Sequence, residues 1–242
     1  MSTSALPNGT TAPSRRLPTA GVAAVVIVAA AAFLIGRQGW EGPSLSFTNG
    51  VSGSGVAASQ IRTLPSFSAV DLAGVSNITV HVGAMQTVVV RAEDNLINSV
   101  KTDVRDGVLV VSERGDFSNK LPLRVDVIVP SLDSARLMGS GTINVTGVDA
   151  RTFTARLPGS GTLTISGQTR QLDAAIAGSG TMQLGGLVAR SVTASVPGSG
   201  RLEVHATRTL DASIPGSGQI IYSGHPKNIE QIINGSGAIR RR

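Results

Sequence analysis

Cysteine is absent from this 242-residue chain, which excludes disulfide staples and thiolate metal sites. The same absence leaves the redox compartment unread, because a cysteine-free chain suits either side of a membrane. Aromatic residues are scarce, with five Phe, one Trp and one Tyr. A broad core filled by large rings is therefore excluded, as are the stacking platforms of single-strand nucleic-acid binders. Only three histidines occur (His81, His205 and His225), and none stands at metal-ligand spacing to another. Structural histidines are the expectation, and no metal or cofactor is implied. A net charge of +6 invites a nucleic-acid reading, but Arg15, Arg16, Arg37, Arg240, Arg241 and Arg242 account for all of it. Residues 38–239 hold 15 basic and 15 acidic side chains, so no phosphate-neutralising face is expected.

What the sequence does contain begins with an uncharged run, TAGVAAVVIVAAAAFLIG, over residues 19–36. As an α-helix it would span about 27 Å, close to a bilayer's hydrocarbon thickness. Arg15 and Arg16 precede it, which keeps a cytoplasmic segment 1–18 inside and sends the remainder outward. A cleaved signal peptide is the alternative, since Ala29–Ala32 offers small residues. The anchor is favoured because Phe33, Leu34 and Ile35 continue the apolar run past that point. Residues 37–60 are rich in Gly and Ser and read as a flexible linker. The topology implied is a single membrane crossing with the C-terminal domain facing outward.

Gly-Ser-Gly then recurs, starting at residues 139, 159, 178, 198, 216 and 235, with spacings of 20, 19, 20, 18 and 19. Self-similarity at such a period is the mark of a solenoid. After each corner comes a period-two run: Ile143/Val145, Leu163/Ile165, Met182/Leu184, Leu202/Val204 and Ile220/Tyr222. A second run follows, in which Ala155, Ala174, Ala194 and Ala212 hold the middle apolar slot between larger neighbours. Glycine at the corner suits positive φ and close backbone approach. The predicted fold is all-β: a parallel β-helix of roughly 19-residue coils over 139–239, preceded by the one transmembrane helix. Residues 61–138 carry less regular strands and read as the cap and first coils. The last coil leaves strand edges that permit self-association, and the basic tail 240–242 sets like charges against it.

Phe67-Ser-Ala-Val70-Asp71, the run from Asp106-Gly107, Val127-Ile-Val-Pro130 ahead of Leu132, and the Gly-Ser-Gly series carry a resemblance. Over residues 61–239 the chain resembles the putative auto-transporter adhesin head GIN domain family. That resemblance implies a bacterial envelope protein with a parallel β-helical fold and no established activity; with the anchor, the location it implies is a bacterial inner membrane, crossed once, with the C-terminal domain facing the periplasm or the outside. An anchor in place of an outer-membrane β-barrel departs from an auto-transporter.

The sharpest chemical candidates are acidic. Asp173, Asp211 and Glu230 share one outward slot, with Thr193 between the first two. On adjacent coils Asp211 and Glu230 would stand about 5 Å apart, the separation of a retaining glycosidase pair. Calcium would need further oxygen ligands. An exposed polar ladder, its charge offset by Arg208 and Lys227, is the plainer reading. The expectation is a non-enzymatic, adhesin-like or structural module meeting an envelope protein or glycan. A polysaccharide-binding or polysaccharide-cleaving face at Asp211/Glu230 is the alternative.

Overall fold

The computed structural model describes residues 50–242, and within them every regular element is a strand. The segment 1–18, the run at 19–36 and most of the expected linker lie outside the described residues. Among the described residues no helix is long and apolar enough to cross a membrane.

Four long strands carry the regular coils: β11 (Thr142–Leu157), β12 (Thr162–Ile176), β13 (Thr181–Ser195) and β14 (Arg201–Ile214). Each pairs in parallel with the next, so the period in the sequence becomes a stacking register. The coil continues through β15 (Gln219–Ser223) and β16 (Asn228–Ile233), and β17 (Ala238–Arg241) pairs with β15. Arg240 and Arg241 thus belong to the final strand, where a tail was expected. The fold is a parallel β-solenoid.

Alternation decides what lies inside. Ile143, Leu163, Met182, Leu202 and Ile220 form one fully buried column, and Ala135, Ala155, Ala174, Ala194 and Ala212 form another. Each inward side chain sits on its counterpart from the coil before, at the roughly 4.8 Å strand spacing. Alanine in the second column leaves no spare volume for a larger residue. Ala194→Leu should therefore cost about 1–3 kcal/mol by overpacking, whereas Thr193→Ala, on the exposed slot, should change little. Denaturant midpoints of the two variants check this, and equal losses would contradict the inward and outward assignment.

The corners correct one expectation. No glycine of the six Gly-Ser-Gly corners from Gly139 onward has positive φ; that conformation belongs to Gly107, Gly115, Gly147, Gly167 and Gly224, and to Gly55 of the separate Gly53-Ser54-Gly55 triplet. Triplet glycines are required by close approach instead. A Cβ on Gly178 would lie 2.0 Å from the Gly159 carbonyl oxygen, and one on Gly180 would lie 2.4 Å from that of Gly161. Such contact lets each corner donate hydrogen bonds to the one before it, as in Ser199 N to Gly178 O at 3.1 Å and Arg201 N to Gly180 O at 3.1 Å.

The N-terminal part departs from a simple series of coils. Its strands are β1 (Val51–Ser52), β2 (Ala57–Arg62), β3 (Ala69–Leu72), β4 (Asn77–Val82), β5 (Thr87–Glu93) and β6 (Val100–Arg105). They are followed by β7 (Val108–Glu113), β8 (Phe117–Ser118), β9 (Arg124–Val129) and β10 (Ser134–Leu137). The parallel ladders run β9-β4-β11 and β7-β3-β10-β11, so β9 stacks above the earlier β4. Antiparallel partners then close both ladders, β5 and β2 beyond β9, and β6 beyond β7. Covering the first parallel edge in this way moves the open edge out to β2 and β6, each paired on one side only. Because β2 begins at Ala57, the domain takes in residues expected to be linker.

A degenerate corner, Gly74-Val75-Ser76, stacks above Gly139-Ser140-Gly141, with Gly141 N donating to Gly74 O at 3.2 Å. Among the described residues nothing further continues that column, and the Glu113 carboxylate takes its place. It accepts from Val75 N at 3.1 Å, from Ser76 N at 2.9 Å and from the Ser76 hydroxyl. A carboxylate thus satisfies donors that the next coil would otherwise have met.

Candidate functional site

The register brings the predicted acidic residues into one outward column: Thr154, Asp173, Thr193, Asp211 and Glu230. Asp211 and Glu230 are directly opposed, as expected from the spacing. Asp173 is engaged by Arg156, whose Nη2 bonds its carboxylate and whose Nη1 donates to the Asp173 carbonyl at 2.8 Å. Its counter-charge therefore comes from the preceding coil, where Arg208 and Lys227 were the expected source for this face. Neither Arg208 nor Lys227 forms a salt bridge among the described residues.

Asp211 and Glu230 border a shallow depression with Thr209, Leu210, Asn228 and Ile229, and both carboxylates are exposed. A glycosidase acid relies on an apolar, enclosed setting to hold its proton. Nothing around this pair supplies one. No cluster of three or more His, Asp or Glu side chains suited to a metal occurs among the described residues. His81 shares a hydrogen bond with Thr146 Oγ1 at 3.1 Å, and His205 with Ser223 Oγ at 3.0 Å, each across neighbouring coils. His225 is exposed. Elsewhere on the wall, burial holds the Asp71 carboxyl above its ordinary pKa, and the opposed Arg136 guanidinium offsets part of the rise.

A second column escaped the sequence reading. Thr152, Gln171, Ser191, Thr209 and Asn228 occupy equivalent positions on five coils. Immediately before each stands a basic residue: Arg151, Arg170, Arg190, Arg208 and Lys227. The backbone confirms the last step, with Lys227 N donating to Arg208 O at 2.8 Å. All five cations are exposed, and none forms a salt bridge among the described residues. Two consecutive exposed positions (Arg151–Thr152, Arg170–Gln171) mark a bend in the coil, so the cations line a ridge. The signal was legible: one basic residue stands two positions before Phe153, Leu172, Val192, Leu210 and Ile229. A count of net charge hides it, because the ridge is balanced by acids elsewhere.

The model of the family "Putative auto-transporter adhesin, head GIN domain" matches residues 66–226. The chain belongs to that family. The match takes in the degenerate first corner, the Gly-Ser-Gly corners up to Gly216-Ser217-Gly218, and four of the five ridge cations. Lys227 and the last two strands follow the matched part of the GIN domain.

Solved structures share the fold. A putative adhesin from Bacteroides fragilis is 21% identical, with a TM-score of 0.68, covering 80% of this chain and 100% of its own. A putative adhesin from Parabacteroides distasonis is 23% identical with a TM-score of 0.51, covering 79% and 99%. A putative lipid binding protein from the same organism is 20% identical with a TM-score of 0.52, again covering 79% and 99%. At these identities the likeness is one of GIN-domain architecture. No curated protein matches the sequence.

Proposed function

We propose that this GIN-domain protein is a non-enzymatic, adhesin-like interaction module of the bacterial envelope, held at the inner membrane by residues 19–36 with its solenoid outside. The observation that carries the module reading is how the coils divide their side chains. Inward slots of β11–β14 are apolar and buried, apart from the buried Thr169. Chemical variety is left to the outward columns, which suit recognition along an extended surface. Family membership supports the adhesin-like assignment. The anchor reading is supported by the eighteen uncharged residues and the preceding Arg15-Arg16 pair.

Membrane fractionation of the full chain, with N-terminal sequencing, checks the anchor. The expected product is the intact chain in the inner-membrane fraction, released by detergent and retained in high salt. A soluble product beginning near Phe33 would replace the anchor with a cleaved signal. The module reading is checked by incubating the detergent-extracted chain with purified envelope glycans and proteins. Saturable binding of a defined component, with no change in that component's covalent structure, is expected.

A further inference from the structure

We propose that the ridge of Arg151, Arg170, Arg190, Arg208 and Lys227 binds a linear acidic polysaccharide laid along the solenoid axis. This deepens the module reading and rests on it, while being independent of the membrane anchor. Four strand spacings separate the first and last cations, so the ridge extends about 19 Å. Like charges on neighbouring coils repel, so stability does not account for a cation on every coil. A long ligand with many anions does.

Three features select the ligand chemistry. A 1,4-linked uronic acid chain carries one carboxylate per sugar, a density of charge comparable to one per rung, with successive carboxylates turned about the chain axis. Four of the five cations are arginines, whose planar forks bond a carboxylate through two parallel N–H groups. The adjoining column is uncharged at all five levels, with Thr152, Gln171, Ser191, Thr209 and Asn228 offering partners for sugar hydroxyls.

The upper rungs should bind first. A groove of about 560 Å³ lies there, lined by Asp149, Ala150, Arg151, Gln168, Thr169 and Arg170, with the exposed Asp149 the single acid set against the two cations. Beside the upper three cations the neighbouring outward slots hold Thr154, the ion-paired Asp173 and Thr193. Beside Arg208 and Lys227 they hold Asp211 and Glu230, which oppose an anionic chain. Nucleic acid fits less well. Among the described residues Phe67, Phe153 and Tyr222 are buried and Phe117 is partly buried, so no exposed Phe, Tyr or Trp ring there is at hand for bases to stack on. Duplex phosphates are also more closely spaced than the rungs, with about 3.4 Å of axis per phosphate on each strand.

The test uses the full chain in detergent and measures binding of polygalacturonate by titration calorimetry. Fully methyl-esterified polygalacturonate and single-stranded DNA serve as comparison ligands. One triple variant, R151Q/R170Q/R190Q, empties the upper ridge. A second, K101Q/R114Q/R124Q, removes the same charge from exposed positions elsewhere. Thermal midpoints near the parent's for both variants keep the comparison one of binding. The ridge variant is expected to lose about tenfold or more in affinity and to show a shallower salt dependence, while the second variant stays close to the parent. Equal losses in the two variants, or equal binding of the methyl ester, would overturn the ridge as the site. Tighter binding of DNA would overturn the polysaccharide assignment. Absence of polygalacturonate binding by the parent would overturn the proposal, whereas the module reading fails only if no envelope component binds.

Discussion

Replacing Gly178 with alanine should cost about 3–5 kcal/mol, although the change adds one methyl group. The added Cβ would lie 2.0 Å from the Gly159 oxygen and 2.6 Å from the Pro158 oxygen, both backbone atoms that no rotamer change can move. Relief requires the two corners to separate. Separation breaks the hydrogen bond from Gly178 N to Leu157 O, at 3.2 Å, and strains the one from Ser199 N to Gly178 O. Gly185 is the matched control, with an ordinary φ and nothing within 4 Å of a built Cβ. Gly185→Ala should leave stability within about 0.5 kcal/mol or raise it, by narrowing the unfolded ensemble. Urea unfolding of both variants measures the difference. Similar midpoints would mean that corner glycines serve flexibility and not close approach.

Glu93→Ala should lose about 2–5 kcal/mol, while Glu93→Gln should stay near the parent. Glu93 ends β5 with no solvent exposure, and its Oε1 accepts from Lys120 N at 2.7 Å and from Leu121 N at 2.6 Å. Alanine orphans both buried donors and leaves a cavity. Glutamine keeps a single oxygen that can accept both. Its amide nitrogen would take the place of Oε2, which has no hydrogen-bond partner. The loss of charge-assisted bonding is then set against the removal of a buried charge. A glutamine variant as unstable as the alanine variant would show that the charge itself is required. Thermal and denaturant unfolding of the three proteins decides between these outcomes.

The two predictions also show where sequence reasoning works and where it stops. Gly178 was legible because its constraint repeats: the same triplet returns on every coil, and the stacking register follows from the spacing. Its reason was not legible, since close approach and positive φ both call for glycine and only the backbone separates them. Glu93 offered no signal. Its partners are the backbone N–H groups of Lys120 and Leu121, and backbone donors have no identity in a sequence. Glu113 is the same case, holding the first corner through Val75 and Ser76. The ridge cations lie between these extremes. Each was readable from its offset to the inward residue that follows, yet its significance depends on alignment across coils.

By itself the sequence determined the regular half of this protein: the parallel solenoid, its period, its inward columns and the opposition of Asp211 and Glu230. It could do so because each coil rests on the one before it in the chain, so local period and three-dimensional register carry the same information. Only the tertiary structure decided the N-terminal half. There β9 stacks on β4 and β2 closes against β5, pairings that join segments about 25 to 50 residues apart with no repeat to align them. Which strand covers an open edge depends on which one can reach it while filling the same core. That choice is a property of the assembled ladder, and no single strand encodes it.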